Sequence, residues 1–202
     1  MKVHTLDQPE MRQKYQIAGL PTVLVTKPGG EEIDRTLGYM KTAHFIATVE
    51  DYQKGIGTLA ATMAQEKEKS KDPAFLYQLG KKFFTHSRWD DADRRYAAVV
   101  SLDPDNKIGD ADDAQLGRAN VEGKKEDYAK AIAHCRELTT RWPLSDLAPD
   151  AISYIGWYAT QGGMTRQAIA AYTEYLKHWP TGDDAEYVKE ELEKLKNPAK
   201  KD

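Results

Sequence analysis

One arrangement of small residues and proline occurs three times between Pro73 and Pro180. In each copy an aliphatic residue and a glycine are followed by an alanine, and then by a proline twelve residues after that alanine. The glycines are 37 and then 39 residues apart. The three copies are Leu79-Gly80, Ala92 and Pro104; Leu116-Gly117, Ala131 and Pro143; and Ile155-Gly156, Ala168 and Pro180. Self-similarity at this period is typical of stacked helical hairpins.

The residue types in each copy explain why a hairpin forms. Glycine in the first helix and alanine in the second let two helices approach closely, and the proline ends the second helix because it lacks an N–H. A single hairpin leaves an apolar face in water, so neighbouring hairpins stack to cover it. We predict helices over residues 73–86, 89–102, 108–122, 126–141, 147–161 and 164–178, with a capping helix over 183–196.

The signature residues of copy one give the pattern a family resemblance. They are Leu76, Leu79, Gly80, Phe83, Ala92, Tyr96 and Pro104. At these positions the chain resembles the tetratricopeptide repeat family, and copy three fits nearly as well. Copy two departs from the pattern, with Asn120 and Cys135 where aromatic residues are usual. The resemblance implies an α-solenoid of three hairpins and a cap over residues 73–196, followed by a tail over 197–202.

Repeat arrays of this family bind peptides or protein surfaces on a concave side lined by their first helices. Carried over, the resemblance implies a partner-binding set of Tyr77, Lys81, Phe84, Arg118, Val121, Ser153 and Trp157. Lys81, Arg118 and Trp157 each follow a repeat glycine, and such a row would grip an acidic or aromatic-containing segment. The alternative is that these side chains face solvent or the neighbouring repeat.

Residues 1–58 follow a different pattern. Residues 59–72 are predicted to form a helical linker. We predict a short strand over 3–6, a short helix over 9–16, a β-hairpin with strands over 22–26 and 33–37, and a helix over 41–54. The β-branched run at 22–26 and the turn cluster Lys27-Pro-Gly-Gly-Glu31 carry the hairpin prediction.

The segment from Tyr15 through the hairpin and its following helix resembles the C-terminal half of a thioredoxin fold. Leu20, Pro21 and Thr22 match the motif in which that family has a cis-proline, so the resemblance implies a cis Leu20–Pro21 bond. The first half of such a fold is absent from this sequence, and no Cys-x-x-Cys occurs. Because thiol–disulfide exchange needs a thiolate nucleophile, we expect no thioredoxin-type activity from this chain.

Half of such a fold would leave an open strand edge. Three explanations for the absent first half remain. The chain is the C-terminal part of a longer protein, or the hairpin packs on the helix that follows it, or it pairs with another chain. The last of these implies homo-oligomerisation through the hairpin. As written, the chain begins without a signal peptide, so we expect a cytoplasmic protein, or a periplasmic one if the natural start lies upstream.

Composition narrows the function classes. A net charge of −3 favours neither nucleic acid nor an anionic membrane, and no apolar run approaches the ~20 residues that span a bilayer. The single cysteine, Cys135, and five scattered histidines match no metal-ligand motif, so we expect no cofactor and no metal. The acidic stretch 103–113 fails the calcium-loop pattern because its glycine falls one place late.

The sequence therefore predicts a mainly α protein, with a tetratricopeptide-like α-solenoid behind a partial thioredoxin-like α/β segment. The leading hypothesis is a non-enzymatic module that binds a partner peptide or polypeptide in the repeat groove. The alternative is the C-terminal part of a thioredoxin-like thiol–disulfide oxidoreductase or chaperone. An in-frame Cys-x-x-Cys encoded upstream would favour the alternative.

Overall fold

A computed structural model describes residues 9–197, which form ten helices and one two-stranded sheet. The helices are α1, Pro9–Lys14; α2, Thr42–Gln53; α3, Leu59–Ala64; α4, Pro73–Thr85; α5, Trp89–Leu102; α6, Ala111–Lys124; α7, Tyr128–Arg141; α8, Ala148–Gln161; α9, Thr165–His178; and α10, Ala185–Lys196. The strands are β1, Thr22–Thr26, and β2, Glu32–Leu37. The strand predicted over 3–6 and the tail beyond residue 197 lie outside the described residues.

The chain divides into two compact units, Met1–Arg95 and Tyr96–Asp202. In the first unit, β1 and β2 form the predicted antiparallel hairpin, with Thr22 opposite Leu37 and a register shift after Val25. The turn uses Gly30 at φ +85°, a backbone conformation that favours glycine. The bidentate pair of Arg35 with Glu32 completes the hairpin, with both N···O distances 2.6 Å.

The thioredoxin-like motif lies at the entry to β1. The Leu20–Pro21 peptide bond is cis. Leu20 is exposed, Pro21 is half-buried, and Thr22 Oγ1 donates a hydrogen bond to the Gly19 carbonyl at 2.6 Å. The thioredoxin-like assignment of the whole segment stays a prediction, as does self-association through the hairpin.

The linker helix is shorter than the sequence predicted. Helix α3 ends at Ala64, and residues 65–71 form successive turns. The Thr58 hydroxyl caps the start of α3 by accepting from the Ala61 amide at 3.1 Å. Beyond Ala64 the run Gln65–Lys71 has no apolar face, so a continued helix would gain no burial in exchange for its conformational entropy.

The second unit is a stack of helices in chain order. Helix α6 packs on α7, α7 on α8, α8 on α9, and α9 on α10. Apolar side chains from every one of these helices are fully or almost fully buried, and they form its core: Leu116, Ala119, Leu138, Ile152, Ile155, Tyr172, Tyr175 and Val188. Charged side chains occupy the outer face of α10, as predicted for a cap that meets water.

The loop before α6 makes that helix begin at residue 111, three residues later than predicted. The Asp103 carboxylate accepts hydrogen bonds from the amides of Lys107 at 2.8 Å and Ile108 at 2.7 Å. Asn106, at φ +55°, accepts from the Ala111 amide at 2.8 Å. These bonds satisfy amides that a longer helix would have used, so the loop is specified by its own side chains.

The repeat glycines make room for aromatic rings. A Cβ on Gly156 would lie 2.2 Å from the ring of Tyr172, and a Cβ on Gly117 would lie 2.8 Å from the ring of Tyr96. Both tyrosines are buried. The small residue at this position is therefore required by packing, because any side chain would occupy the space of a buried ring.

Candidate partner-binding surface

The first unit contains three of the predicted binding residues, all on α4. Lys81 is exposed, and its ammonium group lies 5.1 Å from the ring centroid of Tyr77. Phe84 is half-buried and meets the Trp89 ring edge-on, with 5.1 Å between centroids. Of the three, Lys81 is the side chain most open to a partner, and its cation is already placed over an aromatic face.

For two residues of the second unit, Val121 and Ser153, the prediction of partner contact is wrong. Val121 is 0% exposed and Ser153 is 2% exposed, so neither side chain reaches a partner. Both are short, and the packing of α6 and α8 against their neighbours encloses them. Arg118 is half-buried, and Trp157 is 39% exposed, an unusual exposure for so large an apolar side chain.

Trp157 belongs to a continuous face of α8. Asp150, Tyr154 and Trp157 are spaced by four and three residues, which places them on one side of a helix. Asp150 is exposed and Tyr154 is half-buried. The buried Tyr158 lies behind them, with its ring centroid 5.0 Å from that of Trp157 and 6.1 Å from that of Tyr154. We call Asp150, Tyr154 and Trp157, with Tyr158 behind them, the α8 strip.

Tyr158 holds the α8 strip against neighbouring helices. Its hydroxyl donates a hydrogen bond to Asn120 Oδ1 on α6 at 2.9 Å. Its ring stacks with that of Tyr128 at 6.4 Å, and a Cβ on Gly123 would lie 2.4 Å from it. Burial raises the pKa of Tyr158, so the phenol stays neutral and keeps donating. The strip therefore rests on a fixed ring.

Carboxylates gather at the N-terminal end of the strip. Partial desolvation of its carboxyl group raises the pKa of Asp150 above its ordinary value, and the negative charges of Asp184, Asp183 and Asp146 raise it further. Burial also raises the pKa of Tyr154, followed by the charges of Asp150 and Asp184. Carboxylates from the starts of α8 and α10 thus lie near the N-terminal end of the strip.

A second cluster of titratable groups, in the first unit, surrounds Asp34 on β2. Its Oδ1 accepts hydrogen bonds from His86 Nε2 and from the Arg35 amide, each at 2.7 Å. Its Oδ2 accepts from the Leu59 amide at 2.5 Å and from Lys82 Nζ at 3.1 Å. The side chain is 1% exposed. Both oxygens are occupied, so this carboxylate joins β2, α4 and the start of α3 and offers nothing to a ligand.

The surroundings of Asp34 keep it ionised. Burial alone would raise its pKa, but the hydrogen bond from His86, the charge of Lys82 and the Arg35 amide together hold the pKa below its ordinary value. Sequence reasoning missed this cluster because His86 lies 52 residues from Asp34 in the chain. Its one signal was an acidic residue in the middle of a predicted strand.

Among residues 9–197, no group of three or more His, Cys, Asp or Glu side chains is placed to hold a metal ion. In the same part of the chain, no helix is both long and apolar enough to cross a lipid bilayer. Cys135 is fully buried on α7, and burial raises the pKa of its thiol to about 12. A thiol in that state supplies almost no thiolate at neutral pH.

We therefore expect Cys135 to be unreactive in the folded protein. A thiol-specific chromogenic reagent at pH 8 should give no rapid reaction with the native chain and one equivalent of reaction in denaturant, because unfolding exposes the thiol. Full reaction of the native chain within seconds would contradict the burial of Cys135.

Residues 150–182, which contain the α8 strip and all of α9, match the family model described as Tetratricopeptide repeat. Copy three is therefore similar to a tetratricopeptide repeat. The match agrees with the resemblance that the sequence pattern gives to copy three, and the α8 strip lies on the first helix of the matched range.

A solved structure described as "MamA RS-1 ArsTM double mutant" is similar in fold to this chain. The match has a TM-score of 0.52 and 16% sequence identity, and covers 79% of this chain and 96% of the other. At that identity the likeness concerns the fold alone. A sequence search of curated proteins finds no match. The comparisons give no support to the alternative of a thiol–disulfide oxidoreductase.

Proposed function

We propose that this protein is a non-enzymatic interaction module that binds a partner peptide or polypeptide on the first helices of its repeats. In the second unit the binding helices are α6 and α8. The proposal is carried by one observation, the exposed Trp157 on the fixed α8 strip. Tryptophan is enriched among the few residues that dominate binding energy, and a preorganised ring loses little entropy when a partner covers it.

Arg118 places a cation at the position of α6 that corresponds to Trp157 in α8. It follows the repeat glycine of α6 as Trp157 follows that of α8. A guanidinium group binds carboxylates and backbone carbonyls of a partner through directional hydrogen bonds. The predicted set Tyr77, Lys81 and Phe84 on α4 stays a prediction for the first unit.

Arg118→Glu combined with Trp157→Ala is expected to weaken partner capture strongly. Removing a tryptophan anchor alone costs about 2 kcal/mol, or roughly thirtyfold in affinity. The immobilised full chain is compared with the double variant for the partners it retains from a lysate, and circular dichroism is used to check that helicity is unchanged. Leu144→Ala with Arg166→Glu is the matched control, because both residues are exposed and lie off the strip.

Three outcomes are informative. Partners retained by the wild type and by the control, but lost by the Arg118/Trp157 variant, support the proposal. If the Arg118/Trp157 variant and the control both retain the same partners as the wild type, these helices are not the binding site. If the control variant also loses these partners, capture depends on net charge or on nonspecific adsorption, and the proposal is rejected.

A further inference from the structure

We infer that the α8 strip is a docking surface for an extended polypeptide segment that carries lysine or arginine side chains. This inference rests on the proposed function and adds the chemistry of the partner. It differs from the expectation drawn from the sequence, in which Lys81, Arg118 and Trp157 grip an acidic or aromatic-containing segment. The structure adds a group of carboxylates at one end of the strip.

The carboxylates in question are four aspartates near the N-terminal ends of α8 and α10: Asp146, Asp150, Asp183 and Asp184. Within residues 9–197 none of their side chains takes part in an ion pair. Elsewhere in the same range, carboxylates on the repeat helices meet cations, as Glu174 does with Arg136 at 2.8 Å. Gathering unpaired like charges costs free energy, and an arriving cation relieves that cost.

The aromatic rings supply the second half of the argument. Tyr154 lies one helical turn from Asp150, and Trp157 lies nearly one turn beyond Tyr154, so the strip runs from charge to aromatic face over about 10 Å. An ammonium or guanidinium group prefers the face of tryptophan or tyrosine and also pairs with carboxylate. Basic side chains are the one common class that both halves of the strip attract.

The raised pKa of Asp150 agrees with this arrangement. Partial desolvation of its carboxyl group and the neighbouring aspartates disfavour its charged form, whereas a bound cation would favour it. The negative charges of these aspartates also interact favourably with the positive ends of the helix dipoles, which stabilises the helices. That role affects stability and not affinity, so stability and affinity are measured separately.

The probe is a phage-displayed library of unstructured twelve-residue peptides, selected on the immobilised full chain. Selected peptides are then synthesised with a fluorophore, and their affinities are measured by anisotropy. The variants are Asp150→Asn with Asp184→Asn, and Trp157→Ala. Asp105→Asn with Glu126→Gln is the control, since it removes the same formal charge from exposed positions away from the strip. Thermal melting of each variant reports stability.

We expect selected peptides to be rich in lysine or arginine. They should bind Asp150→Asn/Asp184→Asn about tenfold more weakly and Trp157→Ala about thirtyfold more weakly, with the control unchanged. Peptides that need Trp157 but lack basic residues, or ignore the aspartates, overturn the inference and leave the proposed function standing. If no selected peptide depends on Trp157, both fail. Equal weakening by the control means nonspecific charge attraction and also overturns the inference.

Discussion

Replacing Asp34 with alanine is expected to lower the free energy of unfolding of the first unit by about 3 kcal/mol. The substitution leaves the cation of Lys82 and the imidazole of His86 without their buried acceptor, and it leaves two backbone amides unpaired as well. The value lies at the lower end for a broken buried pair because the Lys82 side chain is 20% exposed and can reach water.

Hydrogen exchange of the hairpin amides measures this effect directly. A loss of about 3 kcal/mol corresponds to roughly a hundredfold faster exchange for amides that open with the hairpin. Glu31→Ala is the matched control, because Glu31 is an exposed acid of the same hairpin paired with an exposed Lys27. We expect the control to change exchange by less than about threefold. Equal exchange rates in Asp34→Ala and Glu31→Ala would show that the buried network stabilises nothing.

The same network has a pH dependence of known sign. The folded-state pKa of Asp34 lies below its unfolded value of about 4, so its stabilisation is fully present above that pH. As the pH falls through the folded-state value, the carboxylate becomes protonated and the stabilisation is lost. The difference in stability between the wild type and Asp34→Ala should therefore shrink as the pH falls below about 4.

The sequence predicted the helices of the second unit closely because glycine, alanine and proline fix where each helix can pack and end. The ranges 126–141, 147–161 and 164–178 match α7, α8 and α9 at their ends and differ by one or two residues at their starts. Helix α6 was less accurate because hydrogen bonds from Asp103 and Asn106 define its loop, and such bonds leave no periodic signal.

The binding surface was predicted less well than the fold. A position in the repeat gives the face of a helix, but the distance to the next helix decides whether a side chain such as Val121 or Ser153 is covered. The partners of Asp34 could not be predicted, since they come from separate elements of different types, and the acidic residue in a predicted strand was the one signal.

Gly156→Ala is expected to lower the free energy of unfolding of the second unit by about 2 kcal/mol. Two effects oppose one another. Alanine favours a helix over glycine by about 1 kcal/mol, but its methyl group would lie 2.2 Å from the Tyr172 ring. That ring is fully buried and its centroid lies 6.4 Å from that of Tyr187, so it cannot withdraw without disturbing other contacts. Packing therefore outweighs helix propensity.

A double-mutant cycle separates the two effects in urea unfolding. Tyr172→Leu shortens the side chain opposite Gly156, so Gly156→Ala should cost at least 1 kcal/mol less in that background than in the wild type. Gly29→Ala is the control for the substitution itself, because nothing lies within 4 Å of its Cβ position, and we expect a change within about 0.5 kcal/mol. A stabilising Gly156→Ala would mean that helix propensity outweighs packing, and that the repeat glycine is not there to admit the ring.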